Sequence, residues 1–342
     1  MRWIDVPHAP EVKAQWRSLF PDRIPPALLW KGIEGVGKTA AAWMLTKALL
    51  CSQGDPVEPC GTCRNCQLVD RLEHPNLLLL VPTGGKGSLE EGVQRFRQTL
   101  LNNPFLLLSE WELALSGAKG SLSLGVDTVR RLHEELSLVS PGKTWRVVWF
   151  WHAETLTRQA ANALLKIIEE PPARTLFIFL TNQADTLPVT LRSRCQTWRF
   201  PPLSKTQLEQ LAGAPLPTPM IILAQGSYGR LRRLRDASME KSIRSLQTWL
   251  RTLLQPEADP SPAIEELLQA PQLGEVLVMG AILVREHPEL TVAQKAIGMD
   301  ILLRIAEGVE ANLQPALLLW EATLSLKEKW KQPRFLWEWI PV

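Results

Sequence analysis

Residues 32 to 39 read Gly32-Ile33-Glu34-Gly35-Val36-Gly37-Lys38-Thr39, a complete G-x4-G-K-T phosphate-binding loop. The apolar run 27–30 precedes the loop and predicts a short buried strand, and the Ala- and Leu-rich stretch 40–50 follows it and predicts a helix. This motif is specific when a strand, the loop and a helix come in that order. The sequence therefore predicts a P-loop fold built on a parallel sheet.

The loop residues have defined tasks in such a fold. Gly32, Gly35 and Gly37 let backbone N–H groups curl around phosphates, and the N-terminus of the following helix adds partial positive charge. Lys38 is expected to reach the β- and γ-phosphates, and Thr39 is expected to ligate Mg²⁺. The motif by itself leaves open whether a nucleotide is bound.

Four of the five cysteines fall in one short window with the spacing C-x8-C-x2-C-x2-C: Cys51, Cys60, Cys63 and Cys66. In a reducing compartment this clustering indicates a metal site rather than disulfides. Four thiolates complete a closed tetrahedral shell, which is typical of structural Zn²⁺ and leaves no position for a catalytic water. The alternative is a loop of surface thiols. The fifth cysteine, Cys195, stands apart and is interpreted as a small packed residue.

Further apolar runs extend the predicted sheet. Three of them have the length of buried strands: 77–81, 146–151 and 175–180. The stretches 126–138 and 157–170 have helical spacing. The segment 84–123 is less regular and is interpreted as an insertion that carries its own helix, 90–101. Alternating strands and helices predict an α/β architecture for about the first 200 residues.

The run 146–151 is where a P-loop ATPase carries its Walker B acids. Here the strand ends Phe150-Trp151-His152-Ala153-Glu154, and the Asp-Glu pair is missing. Without these acids Mg²⁺ loses an anchor and no carboxylate polarises the attacking water. The sequence therefore predicts a nucleotide-binding fold that has lost hydrolysis. One alternative stays open, because a strand shifted by two residues would bring Glu154 towards Mg²⁺ and permit weak hydrolysis.

Two motifs carry a family resemblance. Residues 162–172 read Asn-Ala-Leu-Leu-Lys-Ile-Ile-Glu-Glu-Pro-Pro, and residues 191–195 read Leu-Arg-Ser-Arg-Cys. Both resemble motifs of the bacterial DNA polymerase III clamp-loader subunits, which are AAA+ proteins, and the cysteine module after the P-loop helix is similar to theirs. Within that family the delta-prime type keeps Ser-Arg-Cys but has degraded Walker motifs. Counting back from the first motif places Trp151 and His152 at the Walker B pair, which favours the delta-prime type over the gamma/tau motors.

The resemblance implies roles for several residues. Arg194 would be an arginine finger, offered in trans to ATP on a neighbouring motor subunit, where a guanidinium stabilises charge on the transferred phosphoryl group. The alternative is that Arg192 and Arg194 are solvated residues at the start of a strand. Thr181 and Asn182 end a strand where the family carries its sensor 1 residue. Arg230 resembles the sensor 2 arginine, but it stands one place later than in the motor subunits.

The resemblance also implies the domain organisation. We expect an α/β AAA+ domain over residues 1–203 with the zinc module at 51–66, an all-α lid domain over 204–236 and an all-α collar domain over 237–342.

No apolar run approaches the roughly 20 residues that span a bilayer, so no membrane contact and a cytoplasmic location are expected. The formal net charge is +3, so the chain as a whole generates no strong field towards nucleic acid.

Three functions fit parts of this sequence. The first is a largely non-hydrolysing delta-prime stator of the clamp loader, which helps load the sliding clamp onto primed DNA. Its partners would be the gamma/tau and delta subunits and, through the complex, the sliding clamp and primer-template DNA. It would bind structural Zn²⁺ and allow ATP or ADP with Mg²⁺ as a static ligand, and its own ATPase within the polymerase holoenzyme would be absent or weak. A gamma/tau-type motor is disfavoured by Trp151 and His152, and an independent zinc-dependent DNA-binding protein by the small net charge.

Overall fold

The computed structural model describes residues 2–20, 23–53, 55, 57–84, 89–115, 122–138, 144–255, 257–288 and 290–330. The chain divides into two compact units. The first unit consists of Met1–Gln207 and Ser227–Gly229, and the second of Leu208–Gly226 and Arg230–Val342. The finer division into an AAA+ domain, a lid and a collar stays a prediction.

A five-stranded, all-parallel sheet forms the centre of the first unit. Its strands are β1 (Ala27–Gly32), β2 (Leu77–Leu80), β3 (Arg146–Trp151), β4 (Thr175–Thr181) and β5 (Gln196–Phe200). Their order is β2-β3-β4-β1-β5. The predicted α/β fold is confirmed, and β5 is an edge strand in addition to the four predicted ones. Parallel strands end at the same edge, so β3, β4 and β1 bring their carboxyl ends together where the P-loop begins.

The helices of the first unit are α1 (Ala9–Leu19), α2 (Lys38–Leu50), α3 (Arg64–Asp70), α4 (Leu89–Asn102), α5 (Leu108–Ala114), α6 (Val126–Leu138), α7 (Arg158–Glu169) and α8 (Val189–Arg192), and α9 (Lys205–Ala212) begins in it. Every residue of β3 and β4 is buried, because helices cover both faces of the sheet. One face packs against α6 and α7. On the other face Trp149 Nε1 donates a hydrogen bond of 2.9 Å to Thr46 Oγ1 of α2.

The segment between β2 and α6 carries α4 and α5, which confirms a helix within the predicted insertion. Both helices contribute to the hydrophobic core, because Phe96 and Leu100 of α4 and Trp111 of α5 are fully buried. The apolar run between the two helices, 105–107, is also buried. The insertion is therefore packed into the first unit along both helices and their connection.

The second unit is helical in its described residues. Its helices are α10 (Thr218–Ala224), α11 (Tyr228–Leu234, which begins in the first unit), α12 (Ala237–Leu254), α13 (Ser261–Leu268), α14 (Leu273–Glu286), α15 (Val292–Glu310) and α16 (Pro315–Lys329). A buried hydrogen bond of 3.0 Å from Trp249 Nε1 to Thr323 Oγ1 joins α12 to α16. Among the described residues of the whole chain, no helix has the length and apolar character required to cross a membrane.

Candidate functional site

The four clustered cysteines meet at the junction of α2 and α3. Cys51 follows α2, Cys63 caps the N-terminus of α3, and Cys66 lies one turn further on and is buried. The four Sγ atoms all lie within 4.8 Å of one another. The Cys51–Cys63 and Cys60–Cys66 sulfur distances are both 3.9 Å, and all four cysteines are free thiols.

This geometry matches a closed tetrahedral shell. A Zn–S distance of about 2.3 Å places the sulfur atoms of a tetrahedron about 3.8 Å apart, which is close to the two spacings found here. Backbone N–H groups also point at the sulfur atoms: the N–H of Cys60 donates to Cys51 Sγ, and that of Cys63 donates to Cys60 Sγ, each at 3.4 Å. The four thiols together can therefore hold a metal ion.

Two of the four thiols, Cys60 and Cys63, have lowered pKa values, whereas burial raises the pKa of Cys66. Burial raises the pKa of Cys63, but hydrogen bonds from Ser52 and from the backbone N–H of Cys66 outweigh it and lower the pKa to about 5. Backbone N–H groups of Cys63 and Thr62 lower the pKa of Cys60. Hydrogen bonds to sulfur favour the thiolate, which is the form that binds metal.

The P-loop connects β1 to α2 with the backbone geometry that its glycines permit. Gly35 has φ of +69° and Gly37 has φ of +109°, conformations that residues with a side chain rarely adopt. A Cβ atom at Gly37 would lie 2.9 Å from Pro7 Cδ and 3.4 Å from Phe105 Cε1. The turn is therefore formed as the motif predicts, and side chains approach it closely from two directions.

The P-loop lysine is already hydrogen-bonded within the protein. Lys38 Nζ donates to the carbonyl oxygens of Gly32 at 2.7 Å and Ile33 at 2.8 Å, and to Asn182 Oδ1 at 2.8 Å. An ammonium group has three donors, so these three acceptors use all of them. The residue is only 6% exposed. Lys38 is therefore folded back onto its own loop rather than extended towards a phosphate position.

Beyond the end of β3, a polar network occupies the place of the Walker B acids. His152 is buried with φ of +53°, and its ring lies 3.0 Å from Glu154 Oε1 through Nδ1 and 3.4 Å from Glu34 Oε1 through Nε2. The backbone N–H of Asn182 lies 3.3 Å from Glu154 Oε2. The strand ends at Trp151. The two-residue shift that would put Glu154 on the strand does not occur.

The pKa values of this network follow from burial and charge. Burial lowers the pKa of Lys38 to about 8, against the opposing charges of Glu154 and Glu34. Burial raises the pKa of Glu154, but the hydrogen bond and charge of His152 outweigh it, so that the pKa lies below its usual value. The carboxylate of Glu154 is thus held as the charged partner of His152.

The space left at the P-loop is small. A cavity of about 20 Å³ is lined by P-loop residues, by the ends of β3 and β4, and by three consecutive residues of the insertion, Pro104, Phe105 and Leu106. This volume holds about one water molecule. In this conformation the space enclosed by these residues is thus much smaller than the phosphate chain of ATP or ADP.

Two other predicted site residues, Thr181 and Arg230, have hydrogen-bond partners of their own. Thr181 is buried at the end of β4, where its Oγ1 accepts a hydrogen bond of 3.1 Å from the N–H of Gln183. Its neighbour Asn182 is the residue that contacts Lys38. Arg230 lies in the second unit and donates to Gln225 Oε1 at 2.6 Å.

Arg194 lies in the short connection between α8 and β5. Its Nε donates to Glu169 Oε1 at 2.7 Å, and its Nη1 donates to the carbonyl oxygen of Thr190 at 2.8 Å. The side chain is 36% exposed. The neighbouring Arg192 pairs with Asp185 at 2.8 Å. Arg194 is therefore an ion-paired surface arginine at the C-terminal end of α7, not a freely solvated one.

Two residues of the site had no role in the sequence interpretation. Glu34 occupies a variable position of the P-loop motif, yet its carboxylate accepts a hydrogen bond from the backbone N–H of Leu108 and contacts His152. Phe105 lies in the insertion and lines the cavity. The feature of the sequence that could have pointed to Phe105 is the short apolar run around it, which fits neither a helical nor a strand pattern.

Comparison with known proteins identifies a family. The family described as "DNA polymerase III, delta subunit" matches residues 9–204, which is more than half of the chain. The DNA polymerase III subunit delta' of Bacillus subtilis is 31% identical over 198 residues, which cover 58% of this chain and 49% of the relative. The Escherichia coli subunit delta' is 35% identical over 170 residues, 50% of this chain and 40% of the relative. A gamma/tau subunit of Mycobacterium tuberculosis is 31% identical over 183 residues, 54% of this chain and 25% of the relative. Each match thus spans half or less of the relative's length.

Proposed function

Because the chain belongs to the DNA polymerase III delta-subunit family, and curated relatives in it carry the name delta', we propose that it is a delta'-type subunit of a bacterial clamp loader. The proposal includes its partners: gamma/tau and delta subunits, and through the complex the sliding clamp and primer-template DNA. We place it in the cytoplasm, where reducing conditions keep the four clustered thiols available for metal.

Within the clamp loader we propose that this subunit is a stator that does not hydrolyse ATP itself. One observation carries this: the positions of the two Walker B acids are taken by Trp151, the last residue of β3, and His152, and neither side chain is a carboxylate. The second candidate, a gamma/tau-type motor, is favoured by the Mycobacterium tuberculosis match. It requires catalytic acids that this strand end lacks.

This subunit is proposed to contribute Arg194 to ATP hydrolysis at the nucleotide site of a neighbouring subunit. To reach a phosphate, its guanidinium must leave the carboxylate of Glu169. An exposed ion pair of this kind contributes about 0–1 kcal/mol, so exchanging the carboxylate for a phosphate costs little. A phosphoryl group can accept the guanidinium fork through two of its oxygens, whereas Glu169 accepts both N–H groups through Oε1 alone.

The cysteine cluster is proposed to hold structural Zn²⁺ through Cys51, Cys60, Cys63 and Cys66. The four-thiolate donor set and the 3.9 Å sulfur spacings support this choice. A bound ion would fix the loop between α2 and α3, and the closed shell has no position for chemistry. Nucleotide binding through Gly32, Gly35, Gly37, Lys38, Thr39, Thr181 and Arg230, with Mg²⁺, stays a prediction that the closed cavity does not favour.

The deciding experiment is ATP turnover of a clamp loader reconstituted with gamma/tau and delta subunits from the same organism. Arg194→Ala is expected to remove the turnover of the site it serves, because an arginine finger contributes about 10³-fold or more to that step. Arg192→Ala is the matched control, since this arginine is also ion-paired and stands two residues away. Lys38→Ala is expected to leave turnover unchanged. A loss of turnover with Lys38→Ala would show that this P-loop is catalytic and would refute the stator.

A further inference from the structure

The insertion between β2 and α6 has no part in the function proposed above, yet it enters the P-loop cavity. Its loop 103–107 connects α4 to α5, and Phe105 is 7% exposed. The Phe105 ring packs edge-on against Tyr228 with the ring centroids 4.8 Å apart. Its Cε1 atom would lie 3.4 Å from a Cβ atom at Gly37, in the turn that would wrap around a phosphate. The insertion thus places a buried aromatic ring against the phosphate-binding turn.

The loop is held there by polar contacts of its own. The backbone N–H of Phe105 donates to Asn103 Oδ1 at 3.1 Å, and that of Leu107 donates to Glu110 Oε2 at 2.8 Å. The next N–H, that of Leu108, donates to the carboxylate of Glu34 in the P-loop. The first two bonds shape the loop, and the third attaches the start of α5 to the P-loop itself.

The outer side of the insertion rests on the residue that replaces a Walker B acid. The ring of Trp151 lies 4.9 Å from that of Phe96 on α4 and 6.4 Å from that of Trp111 on α5, centroid to centroid. Trp111 Nε1 donates to the carbonyl oxygen of Pro82 at 2.8 Å. An Asp at position 151 would put a carboxylate among these buried rings. Trp151 and the insertion therefore fit each other, and both are incompatible with an ATPase site.

We propose that residues 103–108 are a tethered plug that closes the P-loop to nucleotide, with Glu34 as its latch. Phe105 fills the turn, Lys38 is satisfied by its own loop, and the subunit is nucleotide-free as a folded chain. The plug rests on the stator role proposed above and gives it a physical cause. It also assigns a task to the insertion that the sequence left unexplained.

The test is equilibrium binding of MgADP and MgATP to the purified full chain by isothermal titration calorimetry. The wild-type chain is expected to show no saturable binding at millimolar nucleotide. Phe105→Ala opens the turn and is expected to bind MgADP at least about tenfold more tightly than the wild-type limit, because apparent affinity scales with the open fraction. Adding Lys38→Ala to that variant is expected to remove the binding. Leu113→Ala, an exposed position on α5, is the control and should behave as wild type.

Two results would overturn the plug. One is micromolar binding of MgATP by the wild-type chain that Phe105→Ala does not tighten. The other is a Phe105→Ala chain that melts cooperatively and still binds nothing. If Phe105→Ala does not fold, hydrogen exchange of the wild-type chain decides: the amides of Phe105, Leu107 and Leu108 should exchange slowly and not respond to millimolar MgATP, and faster exchange with MgATP refutes the plug. Failure of the plug would leave the Arg194 result in the reconstituted complex unchanged, so the two proposals fail separately.

Discussion

The ring of Trp151, at the end of β3, lies 4.9 Å from the ring of Phe96 on α4, with the two planes tilted by 55°. In a P-loop ATPase this strand end carries acids that serve Mg²⁺ and water. Here it carries an aromatic contact that holds an insertion against the sheet. In this structure the residue at the strand end and the insertion thus form one packing unit.

Substitutions of Phe96 and Leu101, both on α4, test whether the contact between Phe96 and Trp151 anchors the insertion. Phe96 is fully buried against Trp151, whereas Leu101 on the same helix is 44% exposed. Phe96→Ala is expected to lower the free energy of unfolding by about 3–5 kcal/mol, and Leu101→Ala by less than about 1 kcal/mol. Urea denaturation followed by tryptophan fluorescence measures both. Equal effects of the two substitutions would mean that the insertion is only loosely attached.

Removal of metal tests the cysteine cluster. The purified chain is expected to carry one Zn²⁺ per molecule, measured by elemental analysis, and a strong chelator or Cys66→Ser should remove it and destabilise the loop between α2 and α3. Metal binding and local folding are coupled here because the four ligands come together only when the chain is folded. Cys195→Ser is the matched control: burial raises the pKa of its thiol to about 12, and it donates to the Leu191 carbonyl oxygen instead. Full zinc content in Cys66→Ser would contradict the four-cysteine site.

The sheet and the cysteine site could be predicted from the sequence because both depend on short-range sequence patterns. The runs 147–151 and 176–180 are apolar throughout, as is typical of strands covered on both faces, and the cysteine spacing brings its ligands together within one loop and one helical turn. The extent of the edge strand β5, after Arg194, could not be predicted, since three of its five residues are exposed and only two are buried.

The closed P-loop could not be predicted in the same way. The motif Gly32–Thr39 specifies the shape of a turn, but not what fills it. Phe105 reaches the P-loop, and Glu34 of the P-loop reaches Leu108, only through contacts between distant parts of the chain. A short apolar run in a loop is equally compatible with many packing partners. The packing partners of the run around Phe105 are therefore seen only in the tertiary structure.

The ion pair between Glu169 and Arg194 allows a second test of the arginine finger. Glu169→Ala frees the guanidinium from a competing carboxylate, so the reconstituted clamp loader is expected to turn over ATP up to about fivefold faster, the equivalent of an exposed pair worth up to about 1 kcal/mol. The isolated chain should lose less than about 1 kcal/mol of stability. A loss of turnover as large as that of Arg194→Ala would show instead that Glu169 positions the arginine for its neighbour.

The buried ammonium of Lys38 makes stability depend on pH. Its pKa is about 8 in the folded chain and near 10.5 when unfolded. Below pH 8 both states are protonated, and the cost of burying the charge is fully present. As pH rises from 8 to 10.5 the folded state releases the proton first, so this cost is progressively lost.

Compared with Lys38→Met, which cannot titrate, the wild-type chain should therefore gain on the order of 2 kcal/mol of unfolding free energy between pH 7 and pH 10. The difference between the two urea-denaturation profiles cancels the titration of the other lysines. A nucleotide-competent P-loop, with its lysine extended into water, would keep the ordinary pKa and give two parallel profiles over this range. The pH profile thus reports, without any nucleotide present, whether the lysine is folded back as the closed cavity requires.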